Sequence, residues 1–339
     1  MNLTIFFLIP LAIYLVNKFF FKKKFLLNYS GEIHQKFLGN KNIPLSGGLI
    51  ILVFLLYIDY QNILFNFILF TFFIIGFFSD IKLFQSPTKR FIIQSIILVI
   101  FVIINDIQIS STRIIFIDYF LNNIFFSIFF SYFCLIVLIN GTNFIDGLNG
   151  LVLGYYILIL LFVTKLGFPI EGLPDKLIIQ NFVYILFVLL IFNLANQLYL
   201  GDNGVYVLSL YIGLFLINFS NNNYEISPFF IILLLWYPCF ENLFSIIRKF
   251  VIRKSPLKPD NKHFHHLLYY FVNKKFRPSP IWSNNISSII INFYNLIIFS
   301  LGYKYYNNTQ ILIFIIIINI LIYIIVYLRL FNLKYKIKN

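Results

Sequence analysis

Long apolar blocks dominate the sequence, and their length constrains the fold more than any other feature. A transmembrane helix needs about 20 mainly apolar residues, whereas a membrane barrel shows alternating segments of about 10 residues. The blocks therefore predict an all-α, polytopic integral membrane protein with one transmembrane domain over residues 1–339. We expect about eleven spans, at approximately 3–21, 46–60, 63–79, 91–105, 122–139, 151–168, 178–196, 204–220, 228–247, 283–302 and 310–328.

The distribution of basic residues predicts the orientation of these spans. If the N-terminus lies outside, the inside segments hold all of the 26 Lys and Arg residues except Arg113, Lys165, Lys176 and Lys304. Basic residues accumulate in the cytoplasmic loops of membrane proteins. We therefore expect an outside N-terminus and a cytoplasmic C-terminus. The net charge of +14 belongs to the inner face, where it suits anionic lipids and substrates, and does not indicate nucleic-acid binding.

Acidic residues on the inner side mark where chemistry could take place. Charged groups at membrane depth are costly, and their presence suggests a function. The longest inside segment, at roughly 248–282, is too short to form a domain with its own core. The inner acids are Glu32, Asp80, Asp146, Asp202, Glu241 and Asp260.

Two short polar segments come first along the chain. Gly47 and Gly48 stand at the start of the second span, where paired glycines let the backbone approach a ligand closely. A simple turn into the span explains them equally well. Asp80 follows Ser79 at the inner end of the third span, where a carboxylate could bind a divalent metal or orient a phosphate. A charged helix terminus is the alternative for Asp80.

The richest polar segment runs from Asn140 to Leu151 and contains three asparagines, one aspartate and three glycines. We expect irregular backbone here, because such backbone is tolerated at membrane depth mainly where it lines a cavity. Its amide and carboxylate oxygens suit a hard cation, and the same groups could hydrogen-bond a base or a ribose. A plain loop does not need this density of polar groups.

Asp202 and a histidine cluster complete the series. Asp202 stands beside Gly201 at a helix start, where it could hold magnesium together with substrate phosphates or act as an N-cap. Three of the four histidines lie within four residues, and the spacing after Asp260 predicts a short amphipathic helix on the membrane surface. We favour contacts of these histidines with phosphate. A role as metal ligands stays open, although no nearby cysteine could complete a zinc site.

These segments together indicate chemistry on a diphosphate at the inner membrane face. Oxygen-bound magnesium would neutralise the diphosphate, basic groups would hold the transferred phosphoryl group, and asparagines would orient the nucleotide. The sequence contains no Gly-rich loop that ends in Lys-Ser or Lys-Thr, so ATP hydrolysis is not expected.

In this order, the segments resemble the polyprenyl-phosphate N-acetylhexosamine-1-phosphate transferases of glycosyltransferase family 4. The resemblance extends over nearly the whole chain. The His-x-His-His pattern is similar to the branch that transfers N-acetylglucosamine 1-phosphate to undecaprenyl phosphate, which is related to phospho-N-acetylmuramoyl-pentapeptide transferase. The four matching motifs are Ile43-Pro44 with Gly47-Gly48, Asn140 to Leu151, Phe192-Asn193 with Gly201-Asp202-x-Gly204, and Asp260 to His266.

The resemblance implies transfer of a sugar phosphate from a UDP-N-acetylsugar, first of all UDP-N-acetylglucosamine, to polyprenyl phosphate, with release of UMP. It implies magnesium, with manganese as a substitute, and a bacterial plasma-membrane enzyme whose active site faces the cytoplasm. It leaves a homodimer open. By motif position, the metal contacts are Asn143 and Asp202, the catalytic residues are Asp80, Asp146, His263, His265 and His266, and the substrate-binding residues are Asn149, Asn193 and Asp260.

One departure from the family pattern stands out. Ser79 occupies the place of the first of two aspartates, which is often proposed to activate the lipid phosphate. Asp80 could fill that role alone, or the ionised acceptor phosphate could need no base. The alternatives are a peptidoglycan-branch enzyme that uses UDP-N-acetylmuramoyl-pentapeptide and an inactive, lipid-binding homologue. A transporter is disfavoured because the polar motifs lie at span ends and not at the bilayer midplane.

Overall fold

The computed structural model describes residues 3–28, 42–58, 62–168, 176–251, 253 and 262–335, without the side chains of 3–7, 28, 58 and 176. The strands β1 (Leu27–Asn28) and β2 (Ile43–Pro44) pair antiparallel. The helices are α1 (Leu3–Lys23), α2 (Gly47–Ile58), α3 (Ile63–Asp80), α4 (Pro87–Ile104), α5 (Ile115–Leu121), α6 (Ile124–Ile145), α7 (Leu151–Leu166), α8 (Lys176–Leu194), α9 (Gly201–Asn222), α10 (Pro228–Leu234), α11 (Trp236–Val251), α12 (Phe264–Phe276), α13 (Pro280–Lys304) and α14 (Thr309–Tyr335).

Every predicted span coincides with a helix or with a bent pair of helices, which agrees with an all-α polytopic membrane protein. Within the described residues, seven helices are long and apolar enough to cross a membrane. The pair α10 and α11 gives an eighth span if it is counted as one. Helices α2 and α7 are apolar but shorter. The number of eleven spans and their orientation stay predictions.

Helix α9 lies at the centre of the bundle. Of its apolar window, 83% is buried, compared with at most 44% in the other long candidate spans. A β-carbon on Gly48 of α2 would lie 1.8 Å from the Oδ1 atom of Asn203, and one on Gly76 of α3 would lie 2.4 Å from the backbone of the same residue. These glycines therefore let α2 and α3 approach α9, and for Gly48 the structure favours helix packing over ligand contact.

The apolar block at 228–247 does not form one continuous helix. Helices α10 and α11 meet at Leu235 with a bend of 72°. Pro238 has no N–H group to donate to the carbonyl of Leu234, and this missing hydrogen bond breaks the helix. The Leu234 carbonyl instead accepts a hydrogen bond of 2.7 Å from the hydroxyl of Tyr155. The predicted single span is thus a broken one, with its free carbonyl satisfied by α7.

The polar segment from Asn140 to Leu151 is more helical than expected. Helix α6 continues to Ile145, and only 146–150 leaves helical geometry before α7 begins. The side chains of Asn140 and Thr142 donate to carbonyls of the preceding turn, at 2.9 and 2.8 Å, so they do not interrupt the helix. Irregular backbone across the whole motif was therefore a wrong expectation. Gly150, with a φ of +76°, makes the turn into α7.

The end of the bundle opposite the polar motifs is closed by the loop between α4 and α5. Arg113 donates to the carbonyl of Asn307 at 2.9 Å and to the carbonyl of Tyr224. Asp118 accepts hydrogen bonds from both the N–H and the hydroxyl of Thr112, each 2.6 Å long. This loop was predicted to lie outside. It contacts Asn221 near the C-terminal end of α9, whereas Asp202 lies in the first turn of the same helix.

Candidate active site

Asp80 closes the N-terminus of helix α9. Its Oδ1 atom accepts from the N–H of Asp202 at 2.9 Å, and its Oδ2 atom accepts from the N–H and side-chain amide of Asn203 at 3.1 and 2.5 Å. The first N–H groups of a helix have no partner within the helix, and a carboxylate also suits the positive end of the helix dipole. Asp80 thus fixes the position of Asp202. Its predicted catalytic role stays a prediction.

Asp202, the predicted metal contact, is held by two further groups. The hydroxyl of Ser79 donates to its Oδ2 atom at 2.5 Å, and Arg90 of α4 pairs with the same oxygen and contacts the Ser79 hydroxyl. The side chain of Asp202 is still 25% exposed, so it borders an opening at this end of the bundle. Arg90 supplies a positive charge here that the sequence motifs alone did not identify.

The polar segment after α6 lies next to Asp202. Asn143 donates to the hydroxyl of Tyr206, which is one turn further along α9, at 3.3 Å. Burial raises the pKa of Asp146 to about 7, and the negative charge of Asp202 adds to this effect. The charge of Asp202 therefore acts on Asp146. The roles predicted for both carboxylates stay predictions.

The histidines approach the same segment from the other side. A β-carbon on Gly147 would lie 2.5 Å from the Nε2 atom of His265, so the imidazole can occupy this position only because residue 147 has no side chain. The rings of His265 and His266 lie 4.2 Å apart between centroids, and His263 stacks on His265 at 5.7 Å. The structure thus brings all three histidines together beside the turn at 146–150. Asp260, a predicted substrate contact, lies outside the described residues. It was also the expected start of the histidine helix, but α12 begins at Phe264 and its N-cap is His263.

Asn149 and Asn193 are predicted substrate contacts, and both belong to a buried polar network. The Oδ1 atom of Asn193 accepts from the N–H of Gly150 at 2.5 Å, and its amide donates to the carbonyl of Leu198 at 2.7 Å. The N–H of Asn149 donates to Oδ1 of Asn284 at 2.6 Å. Both ends of the Asn193 side chain are thus used inside the protein, and a contact with substrate stays a prediction.

Helix α13 carries polar residues that the sequence analysis did not single out. Asn284, Ser288, Asn292 and Asn295 recur at helical spacing within a predicted span, and this spacing is the signal that could have revealed them. Asn292 donates to the carbonyl of Gly150 at 3.0 Å. This face of α13 therefore supports the turn that connects Asp146 with α7.

The donor set of the site suits a hard cation. Asp146 and Asp202 offer carboxylate oxygens and Asn143 offers an amide oxygen, and magnesium is usually held by one or two carboxylates plus phosphates and water. In the part of the chain that the structure describes, no three side chains of His, Cys, Asp or Glu form a metal-binding group. A zinc-type site built from the histidines therefore has no support among the described residues, whereas an oxygen-bound ion completed by substrate fits.

Comparisons with known proteins agree with the motifs. The sequence profile described as glycosyl transferase family 4 matches residues 62–220. An undecaprenyl-phosphate alpha-N-acetylglucosaminyl 1-phosphate transferase of Thermotoga maritima is 27% identical over 158 residues, which are 44% of this chain and 44% of that protein. The alignment thus spans less than half the length of this relative. The matched region includes Asp80, Asp146 and Asp202, and over this region the chain is similar to glycosyl transferase family 4.

Proposed function

We propose that this protein is a membrane enzyme that transfers N-acetylhexosamine 1-phosphate from a UDP-sugar to polyprenyl phosphate and releases UMP. The observation that carries the proposal is the position of the turn at 146–150. Asn143, just before this turn, donates to Tyr206 of α9, one helical turn from Asp202, and His265 lies against Gly147 within the turn, although the three elements are far apart in sequence. Such a convergence of carboxylates, amides and imidazoles at one end of the bundle suits a nucleotide diphosphate.

The reaction needs charge stabilisation more than covalent help from the protein. An oxygen of the lipid phosphate attacks the phosphorus that carries the sugar, and the bond from this phosphorus to the bridging oxygen of UMP breaks. Magnesium held by Asp202, Asp146 and Asn143 would neutralise the diphosphate. Imidazoles of His265 and His266 and the guanidinium of Arg90 would stabilise the charge that moves to the leaving group.

Ser79 supports a reaction without a protein base at this position. Its hydroxyl is bonded to Asp202 and contacts Arg90, so it acts as a support for the metal-binding carboxylate. A phosphate monoester has its second pKa near 6 and is mostly ionised at neutral pH, so the acceptor oxygen can attack as it stands. Asp80, which closes α9, is not required to remove a proton in this scheme.

For the donor we propose UDP-N-acetylglucosamine. The His-x-His-His pattern of 263–266 and the name of the Thermotoga relative both favour this sugar over UDP-N-acetylmuramoyl-pentapeptide. The basic residues near this end of the bundle support our proposal that the site faces the cytoplasm of a bacterial cell. The reaction would then supply a lipid-linked sugar for a cell-surface polysaccharide.

Release of UMP by the purified protein tests the proposal. The full chain in detergent is incubated with magnesium, undecaprenyl phosphate and labelled UDP-N-acetylglucosamine, and UMP and labelled lipid are measured. UDP-N-acetylgalactosamine and UDP-N-acetylmuramoyl-pentapeptide are run in parallel, and a chelator replaces magnesium in one arm. We expect equal amounts of UMP and lipid product, and no turnover with the chelator.

Two results would overturn parts of this proposal. Turnover with the pentapeptide donor alone would assign the protein to the peptidoglycan branch. Binding of UDP-sugar or lipid without any UMP would identify an inactive homologue, the alternative that Ser79 raises. An Asp202→Asn variant, purified in the same way, serves as the control for a contaminating transferase.

A further inference from the structure

Glu241 is a buried carboxylate that the proposed reaction does not use. It lies on α11 and is 1% exposed. Its Oε1 atom lies 3.0 Å from the Nδ1 atom of His263, within hydrogen-bonding distance, and accepts from the N–H of Phe264 at 3.2 Å. Its Oε2 atom accepts from the hydroxyl of Tyr323. One side chain thus joins α11, the start of the histidine helix α12, and α14.

A buried carboxylate in these surroundings requires hydrogen bonds. Burying an unpaired charge costs several kcal/mol, so such groups are retained where donors surround them. Three donors from two other helices satisfy Glu241, and each of them is fixed by its own element. The three donors therefore fix the orientation of the Glu241 carboxylate. The carboxylate can in turn fix the orientation of a neighbouring ring.

His263 is that ring. An ionised carboxylate can only accept hydrogen bonds, so the Nδ1 atom of His263 must carry the hydrogen. In a neutral imidazole, the Nε2 atom is then the acceptor, on the edge of the ring that faces away from Glu241. Phe144 packs on His263 with 5.3 Å between ring centroids, which limits rotation of the ring.

The other two histidines depend on the position of His263. The planes of His263 and His265 are nearly parallel, with an angle of 16° at 5.7 Å, and His265 lies against Gly147. A rotation of His263 would therefore disturb the ring that borders the proposed diphosphate site. Glu241 acts at a distance, through one histidine, on the next.

We propose that Glu241 is a positioning residue, which fixes the tautomer and orientation of His263 and thereby the arrangement of the histidine cluster. The inference rests on the proposed function for its effect on activity, but its structural part can be tested without turnover. Partners that orient a functional histidine typically change activity by about 10–100-fold when they are removed.

Two substitutions separate the charge of Glu241 from its hydrogen bonds. In Glu241→Gln, the N–H of Phe264 selects the amide oxygen for the Oε1 position, so His263 can keep its hydrogen on Nδ1. The amide NH2 then faces Tyr323, whose hydroxyl can accept. In Glu241→Leu, the leucine side chain has a similar volume to glutamate, but it offers no acceptor to the Nδ1 atom of His263. Tyr294→Phe is the matched control, because it removes another buried hydroxyl contact, with Asn319, that does not involve Glu241.

The tautomer can be read directly by nitrogen NMR of protein labelled with ¹⁵N-histidine. The chain has only four histidines, so His263 can be assigned by replacing it with glutamine in a reference sample. We expect hydrogen on Nδ1 in the wild type, in Glu241→Gln and in Tyr294→Phe. We expect a mixture, or hydrogen on Nε2, in Glu241→Leu.

Activity provides the second readout. We expect kcat to fall by about 10–100-fold in Glu241→Leu and by less than about tenfold in Glu241→Gln, with KM for the UDP-sugar within about threefold in both.

If Glu241→Leu fails to fold, as judged by thermal unfolding in detergent, the Gln variant and the wild-type tautomer still decide the matter. Hydrogen on Nε2 of His263 in the wild type, or an unchanged tautomer in folded Glu241→Leu, would overturn the positioning role. If the wild type releases no UMP but all variants show the expected tautomers, the proposed function is overturned and the positioning of His263 by Glu241 is not.

Discussion

The backbone of Gly147 touches the imidazole of His265. A β-carbon at this position would lie 2.5 Å from the Nε2 atom and 3.0 Å from the Cδ2 atom of the ring. Real β-carbons do not approach other atoms this closely, so one of the two groups would have to move. The glycine thus joins the turn after α6 with the histidine helix, and these two motifs come from regions of the chain that are more than 100 residues apart.

Gly147→Ala is expected to lower turnover without unfolding the protein. The added methyl group pushes the His265 ring away from the turn, and a displacement of about 1 Å in a catalytic group can cost about 100-fold in rate. UMP release and thermal unfolding in detergent would be measured together. Gly213→Ala is the control. Gly213 lies in the middle of α9, and a β-carbon there would approach methyl groups of two leucines of α6, far from the histidines. Equal activity of the two variants would show that His265 does not take part.

Asp202→Asn is expected to reduce turnover by about 100-fold or more while the protein stays folded. The amide keeps the size of the carboxylate but loses the charge that holds magnesium, and removal of one electrostatic group typically costs about 100–1,000-fold. Binding of Mn²⁺, measured by electron paramagnetic resonance, should weaken in parallel. Asp106→Asn, an acid at the opposite end of the bundle, should leave both quantities near the wild-type values. Near-normal turnover of Asp202→Asn would remove the metal role.

Ser79→Asp is expected to preserve or raise activity. Arg90 contacts both Ser79 and Asp202, and a guanidinium has enough donors to serve two carboxylates. An added charge at position 79 should therefore be tolerated and should lower the magnesium concentration at half-maximal rate. Ser79→Ala, which removes the hydroxyl that donates to Asp202, should lower activity by about three- to tenfold. Complete loss of activity in Ser79→Asp would mean that Arg90 cannot neutralise a second acid in this geometry.

The apolar blocks predicted most of the fold, because span length and hydropathy are local properties of the sequence. Each block became a helix except the one at 228–247, which became a bent pair. The predicted histidine helix is present but begins at Phe264, later than the start predicted at Asp260. The break at Leu235 was not predicted, because a proline within an apolar block is compatible with either a kink or a straight span. The hydroxyl of Tyr155, which lies on a different helix, satisfies the carbonyl that the break leaves free.

The motifs did not predict how each polar residue is held. The structure brings the three histidines to the turn that begins with Asp146, and the roles predicted for these residues stay predictions. The contacts of Arg90 and Ser79 with Asp202 link positions 112 and 123 residues apart, and no spacing in the sequence reports such pairs. The buried asparagines of α13 were missed for a different reason, since a few amides hardly change the mean hydropathy of a long span.

The network around Asp118 predicts a pH dependence of stability at the opposite end of the bundle. Partial burial alone would raise the pKa of Asp118, but hydrogen bonds from Thr112, Ser111 and Arg113 outweigh it and hold the pKa below its ordinary value. A lowered pKa in the folded state contributes stability above the unfolded pKa, and this stability is lost as the pH falls through the folded pKa. Asp118→Asn should therefore melt below the wild type at about pH 6, and the difference should shrink towards about pH 3, where free aspartate (pKa ~3.9) is protonated. A difference that is the same at both pH values would contradict this assignment.

Substitution of Asn193 tests whether its side chain supports the fold or binds the substrate. Both ends of its amide are bonded within the protein, to Gly150 and to the carbonyl of Leu198. Removing such a partner leaves a buried polar group unsatisfied and costs about 1–3 kcal/mol. Asn193→Ala should therefore lower the free energy of unfolding by at least this amount, whereas Asn122→Ala, at an exposed position, should change it by less than about 0.5 kcal/mol. If Asn193→Ala instead keeps its stability and only raises KM for the UDP-sugar, the side chain binds the nucleotide, and its hydrogen bonds to the turn are not needed for folding.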